Sequence, residues 1–541
     1  MSGGFANINT EIGSVSTLTS TARYQSDPLA VYQALCGDLN NSLLLESAEI
    51  DNKQQTKSLL LTHAAVRIEC NGHQVKLTSL SINGQSAIAF AHQALENDAT
   101  CELNANVLTV TFEKAHAEVD ELTRLKAANP FQVLRIFNQL NNESHHPLAV
   151  FLGGVFAFDL MAIAEDLPEV ESGENTCPDY VYYLAENVIV IDHEKRTTDI
   201  ISQVFSGPEQ QKCYFEASRR IQQIKGTLSE AISATVESLK HTPTAVAPEV
   251  DISDQQFCDI VEQLKENIRA GDIFQVVPSR TFSIPCEKPL TTYALLKQSN
   301  PSPYMFFLKD QDFCLFGASP ESALKYQQKS RQVELYPIAG TRQRGKNADG
   351  SIALDLDSRI ELELRQDQKE LAEHIMLVDL ARNDIARVSQ GGSRHVADLL
   401  KVDRYSHVMH LVSRVCGTLL PELDALHAYQ ACMNMGTLSG APKVKATSLI
   451  RQVEQKRRGS YGGAVGYMTG EGEMDTCIVI RSAFVKDNTA HVQAGAGVVY
   501  DSVPQSEADE TRQKAQAVIG ALLQAQTTSL VSNLTFDKQE Q

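Results

Sequence analysis

The chain has 541 residues, a formal net charge of −19 and eleven cysteines. That acidic excess argues against the basic footprint of a phosphate-backbone binder, so free nucleic acid is not an expected partner. The cysteines stand singly with no C-x-x-C, which points away from a zinc ribbon or a disulfide framework and suits reduced thiols in the cytoplasm.

MSGGFANINT, the start of the chain, has neither a basic n-region nor an apolar h-region, so no export signal is expected. Residues 1–240 mix short alternating strands, HQVKLTSLSI and NVLTVTF, with helical stretches such as EASRRIQQIKGTLSEAI. The most membrane-like run, LAVFLGGVFAFDLMAIA at 148–164, is broken by Gly153-Gly154 and Asp159. It is shorter than the roughly 20 apolar residues of a spanning helix, so it reads as buried strand and turn. HTPTAVAPEV, 241–250, reads as a linker.

A second unit, 251–525, opens with a helix in SDQQFCDIVEQLKENIRAGD. Ser253 and Gln256 fit a capping box, Phe257, Ile260, Val261, Leu264 and Ile268 recur at helical spacing, and Gly271 supplies the stop. The stretch IFQVVPSRTFSI follows as a strand, and strands joined by hairpin-like turns then alternate with long helices up to SEADETRQKAQAVIGALLQA. Residues 526–541 remain as a tail. This order predicts an α+β protein with large antiparallel sheets rather than a doubly wound parallel fold.

Several constellations could carry chemistry. In YPIAGTRQRG, 336–345, Gly340 can bring backbone N–H groups close to a ligand, and Thr341 and Arg342 add donors suited to a carboxylate or phosphate. A solvated hairpin end would look the same. Glu370 and Glu373 share one helix face, as do Glu507 and Glu510. Either pair alone fits the macrodipole of a first helical turn, but two pairs facing each other would hold Mg²⁺. No Glu-x-x-His partner accompanies them, which disfavours a di-iron site.

Arg481 interrupts the apolar strand CIVIRSAFV, either as an outward edge residue or as a buried guanidinium awaiting an anion such as a carboxylate. Gly495-Ala496-Gly497 follows one strand and Tyr461-Gly462-Gly463 precedes another, and neither completes G-x-G-x-x-G. These glycines either admit a ligand to the backbone or mark a bulge. His410, in a strand, is an acid–base candidate or a satisfied core residue.

Together PIAGTRQRG, DQKELAEHIMLVDLARNDIARV, HLVSRVCGTL, MGTLSGAPKVKA, YGGAVGYM, CIVIRSA and QAGAGVVYDSVPQSEADET resemble the chorismate-utilising enzymes, and among them the large, aminating subunits of the anthranilate synthases. The motifs run in order over roughly 250–520, and LLLESAEI at 43–50 resembles a tryptophan-binding segment of that family. The resemblance implies an α/β sandwich in which both halves contribute to two large antiparallel sheets. It implies Mg²⁺ held by Glu373 and Glu510 with support from Glu370 and Glu507. It further implies substrate carboxylates cradled by Gly340, Thr341, Tyr461, Arg481, Gly495, Ala496 and Gly497, with His410 and Thr437 against the ring. Glu321, in GASPES, would protonate the departing C4 hydroxyl.

Relatives that attack with water carry a lysine where this chain has Gln275, and relatives that form the 4-amino isomer usually carry a lysine where it has Ala339. The implied nucleophile is therefore ammonia from outside, attacking C2. No cysteine lies in a G-x-C-x-G elbow, so the ammonia is expected from a separate glutamine amidotransferase subunit. Leu45, Glu46 and Ser47 with Pro303, Tyr304 and Met305 match the two segments that bind tryptophan as a feedback inhibitor. The alternatives are an enzyme that stops at an amino intermediate or forms the 4-amino isomer, and a silent scaffold that binds tryptophan.

Overall fold

Two long strands organise the molecule, for which a computed structural model describes residues 11–47, 57–114, 120–238, 246–347, 349–405 and 408–535. Lys57–Asn71 pairs antiparallel with Tyr180–Asp192 over nearly its whole length. Every residue of Tyr180–Asp192 is buried, as expected of a strand covered on both faces. Between Leu61 and Val66 the register slips, and such bulges bend a strand.

Before the bend, Ser42–Glu46 and Thr197–Phe205 take the outer edges of the pair. Past it, Gln74–Ser79 and Phe151–Phe156 take the same edges. The two strands thus leave one sheet and enter another, and through them 23 strands among the described residues form a continuous ladder. The first sheet runs on from Ser42–Glu46 through Tyr304–Lys309, Cys314–Ser319, Ser482–Lys486, Thr489–Gly495 and Ser279–Pro285. The second runs from Phe151–Phe156 through Ala464–Thr469, Met474–Ile478, Ser322–Gln327, Gln332–Leu335 and Val408–Thr418. Ile338–Gln343 and His395–Arg404 complete it.

These pairings are antiparallel, as the element pattern predicts, and strands from both halves of the chain interleave in both sheets, as the family resemblance implies. Leu43, Phe151, Val181, Phe306, Val465 and Phe484 pack between the sheets. Pro28–Cys36, Pro289–Ser299 and Pro504–Ala525 cover the outer face of the first sheet. Ile82–Leu95, Gln368–Ala386 and Ala425–Cys432 cover that of the second. The order of layers is helices, sheet, sheet, helices.

Some local expectations need correction. IFQVVPSRTFSI is not one strand: Gln275–Val276 pairs with Gly440–Ala441, and Ser279–Pro285 pairs in the first sheet. Pro278 between them has no N–H to donate to a ladder. Residues 148–164, by contrast, form the expected buried strand, Phe151–Phe156, and turn, the 3₁₀ segment Phe158–Ile163. Among the described residues no helix is long and apolar enough to cross a membrane. Thr528–Thr535, within the expected tail, pairs with Ala231–Ser238. Residues 241–245 of the expected linker and 48–50 of LLLESAEI lie outside the described residues.

The chain also crosses between sheets at two neighbouring places. Cys314–Ser319 belongs to the first sheet and Ser322–Gln327 to the second, with Glu321 at the crossing. Met474–Ile478 belongs to the second and Ser482–Lys486 to the first, with Arg481 at the crossing.

Candidate active site

The turn of YPIAGTRQRG lies in Ile338–Gln343, whose pairing with Val408–Thr418 slips between Ile338 and Thr341. Gly340 occupies the slip with φ +84°, a conformation that L side chains rarely adopt. A Cβ there would stand 3.0 Å from Leu364 Cδ1 and 3.2 Å from Glu370 Oε2. The bulge sets Thr341 opposite His410, with Thr341 Oγ1 2.9 Å from His410 Nδ1. Arg342 is not free for a ligand, because it pairs with Glu370 at 2.7 Å and Asp367 at 2.8 Å.

His410 and Glu321 are both buried and are pushed in opposite directions. Burial, and then the nearby Arg481 charge, lower the His410 pKa to about 4, so its imidazole is neutral at neutral pH. Burial raises the Glu321 carboxyl to about 8, against the Thr437 hydrogen bond and the charges of Lys514 and Arg481. Thr437 Oγ1 donates to Glu321 Oε1 at 3.0 Å. A protonated carboxylic acid and a neutral imidazole in one site form an acid and base pair, the arrangement expected where environments push titratable groups apart.

CIVIRSAFV is two strands rather than one, and Arg481 stands in the bend between them with φ +49°. Arg481 is half-buried as a residue, burial lowers the pKa of its guanidinium, and among the described residues that group makes no ion pair or side-chain hydrogen bond. A desolvated cation in that state calls for an anion. Close approach explains the glycines beside it. A Cβ at Gly495 would lie 2.7 Å from Pro278 O and 3.1 Å from Tyr461 Oη, and one at Gly497 would lie 2.8 Å from Gln275 Nε2. Gln275 is buried and its Oε1 has no hydrogen-bond partner.

The two acidic pairs do meet. Glu373, on Gln368–Ala386, has its pKa raised to about 7 by burial, eased by Lys369 and raised further by Glu370, Glu510 and Glu507. Glu507 is raised as well, chiefly by burial. Glu370 is balanced by Arg342, and Glu510 by Lys514 at 2.6 Å. Among the described residues no three His, Cys, Asp or Glu side chains already form a metal cage. Mg²⁺ commonly takes one or two carboxylates and fills its octahedron with substrate oxygens and water, so this partly buried set of four carboxylates, in which Glu373 and Glu507 have raised pKa values, fits it.

Two residues in the site escape sequence reasoning. Lys514, one helical turn after Glu510, donates to Gly495 O at 3.0 Å, and its i,i+4 spacing from Glu510 is the signal that could have found it. Tyr405 stacks edge-on to His410 with ring centroids 5.3 Å apart; nothing in its sequence neighbourhood marks it.

A second cavity of about 1190 Å³ opens between the sheets, and Leu45, Glu46, Ser47, Pro303, Tyr304 and Met305 all line it. Met305 stands opposite Glu46 in the first sheet. The Glu46 carboxylate, however, accepts from Tyr293 Oη at 2.6 Å and from Lys297, both on the outer helix Pro289–Ser299. The same cavity reaches Tyr336, Ile338 and Tyr405, beside the turn at Gly340.

Comparison with known proteins bears on the family and the fold. The sequence profile of a family described as chorismate binding enzyme matches residues 90–520. Anthranilate synthase component 1 of Vibrio cholerae is 57% identical over 510 residues, covering 94% of this chain and 96% of that protein. The Escherichia coli protein of the same name is 54% identical over 520 residues, covering 96% and 99%. The crystal structure of anthranilate synthase component I from Streptococcus pneumoniae aligns with a TM-score of 0.65 at 28% identity, covering 87% of this chain and 94% of that one. The menaquinone-specific isochorismate synthase of Escherichia coli shares the fold at 17% identity, with a TM-score of 0.62 and coverage of 95% and 97%.

Proposed function

The chain belongs to the anthranilate synthase component 1 family of chorismate-binding enzymes, and from that premise we propose that it converts chorismate and ammonia to anthranilate and pyruvate in two stages. In the first, ammonia forms a bond to C2, the ring double bond shifts, and the C4 hydroxyl leaves as water with a proton from Glu321. The product of that stage is 2-amino-2-deoxyisochorismate. In the second, neutral His410, held by the Thr341 hydroxyl, takes the C2 proton, the C3–O bond breaks, and the ring becomes aromatic, while the departing enolpyruvate takes up a proton at its methylene carbon to become pyruvate.

Arg481, Tyr461 and the backbone of Gly340, Thr341 and Gly495–Gly497 would hold the substrate carboxylates, and Thr437 would keep Glu321 aimed at C4. Glu373 and Glu510, with Glu370 and Glu507 behind them, would hold Mg²⁺, which supplies charge neutralisation and orientation for the ring carboxylate. Orientation and preset charge carry most of the barrier reduction in such a site.

One juxtaposition carries this reading. A buried, protonated Glu321 and a neutral His410 flank a half-buried Arg481 that lacks an anion, and the positions where a lysine would attack or activate water hold Ala339 and Gln275. Ammonia must then come from outside, from a glutamine amidotransferase subunit. Tryptophan would act as a feedback inhibitor in the inter-sheet cavity lined by Leu45, Ser47, Pro303 and Tyr304. All the cysteines are free thiols, which suits work in the cytoplasm.

The test is incubation of the purified chain with chorismate and Mg²⁺, with ammonium or with glutamine, reading anthranilate fluorescence and pyruvate. Turnover with ammonium and none with glutamine is expected. An accumulated amino intermediate, the 4-amino isomer, or no turnover at all would each overturn the assignment.

A further inference from the structure

Behind the substrate clamp lies a fully buried ion pair that the chemistry above does not use. The helix Lys443–Glu454 ends with Gln455 in the left-handed region at φ +56°, which folds the chain back so that Arg458 faces Glu454. Arg458 Nε donates to Glu454 Oε2 at 2.9 Å and Nη2 to Oε1 at 2.6 Å. Two further N–H groups go to backbone: Nη1 to Leu438 O at 2.8 Å and Nη2 to Val277 O at 2.6 Å. Glu454 Oε1 also accepts from Ser279 N and Oγ, each at 2.8 Å.

Each of these contacts ends on a segment of the site. Leu438 follows Thr437, the partner of Glu321. Val277 lies two residues from Gln275, and Ser279 stands directly opposite Gly495 in the sheet. The guanidinium also sits over the Tyr461 ring, 5.6 Å from its centroid. A buried ion pair adds little net stability over apolar residues of similar size, so its presence is better explained by the geometry it imposes.

We propose that Arg458 and Glu454 form the positioning device of the active site, locking the Thr437, Gln275, Tyr461 and Gly495 segments into one register. Both side chains are buried, and the contacts named are all to protein groups. The inference rests on the chorismate reading above and extends it to residues outside the clamp.

The test compares Arg458→Lys and Glu454→Gln with Arg67→Lys. Arg67 makes an equally buried bidentate pair with Asp310, at 2.9 and 3.0 Å, away from the site. Melting temperature, kcat and KM for chorismate are measured for all three. The expected result is a fall in kcat/KM of about a hundredfold for the two site variants, mostly through KM, since a misplacement of about 1 Å can produce a loss of that size. Arg67→Lys should lose a similar amount of melting temperature and keep kcat/KM within about threefold of wild type. Equal kcat/KM losses at matched melting temperature would reduce the pair to scaffold and overturn the proposal.

If the two charge variants do not fold, Ser279→Ala decides with Gln493→Ala as its control, because it removes the hydroxyl leg to Glu454 together with the bond that Oγ accepts from Gln493 Nε2 at 2.8 Å, and leaves the Ser279 N–H bond in place. A severalfold rise in KM over that control supports the proposal, and a KM that matches the control overturns it. A folded wild-type chain that turns over no chorismate would instead strike the reading beneath it, and the positioning claim would fall with that reading.

Discussion

Glu321→Gln tests the central acid in two independent ways. Burial lifts the carboxyl from an ordinary 4.5 to about 8, so the native protein keeps it protonated at neutral pH. At about 1.4 kcal/mol per pH unit, that rise is on the order of 4–5 kcal/mol, an upper limit on what the ionised group costs the fold. The sign follows from proton uptake. Below 4.5 the folded and unfolded chains both carry the proton and the cost is nil; it grows as pH rises through the interval and is complete above 8. Glutamine keeps the shape and the Thr437 hydrogen bond but never ionises. The variant should therefore melt a few degrees above wild type at pH 9, with the difference closing toward pH 5. Its kcat should fall by about 10²–10⁴, the usual contribution of a placed general acid. The assays are thermal melts across pH 5–9 and steady-state turnover with the concentration of free NH₃ held constant. In that format wild-type kcat should decline as pH passes about 8. A melting difference that ignores pH, or a variant with kcat within tenfold of wild type, would refute the reasoning.

Further outcomes follow from the same site. Glu373→Gln or Glu510→Gln should abolish turnover without loss of far-UV circular dichroism, and EDTA should do the same reversibly; full activity in EDTA would remove Mg²⁺ from the account. Arg481→Met should raise KM for chorismate and lose most activity, because an unpaired buried carboxylate forfeits roughly 3–5 kcal/mol; a variant with wild-type KM would free Arg481 from the clamp. Ser47→Arg should fill the inter-sheet cavity and weaken tryptophan inhibition strongly while sparing basal turnover; unchanged sensitivity would place the effector elsewhere.

Local features are the legible part of this molecule. The Ser253–Gln256 capping box is present as its i,i+3 spacing requires, and Phe257, Val261 and Leu264 are buried as the helical period demands. Equal spacing in Glu370/Glu373 and Glu507/Glu510 suffices to suggest that two helices meet. What depends on distant partners is not legible. The partners of Glu46, Tyr293 and Lys297, lie 247 and 251 residues away along the chain. CIVIRSAFV contains no Gly or Pro to mark a break, yet Arg481 bends because its two flanking strands pair in different sheets. Glu321 sits at the adjacent crossing for the same reason, and that shared crossing brings an acid and a cation to one cleft. The division at 241–250 is clear in composition but does not separate the sheets, because Ser42–Glu46 is inserted between Lys57–Asn71 and Tyr304–Lys309.

The claim on which everything turns is that ammonia from outside attacks C2 in a pocket without an amine at position 339. Purified chain, chorismate, Mg²⁺ and ¹⁵N-ammonium, followed by mass spectrometry and nitrogen NMR of the product, test it directly. The account predicts anthranilate with the label on the carbon ortho to the carboxylate, one pyruvate for each product, and no covalent adduct on the protein. Label para to the carboxylate, or a substrate adduct on the wild-type chain, would contradict it.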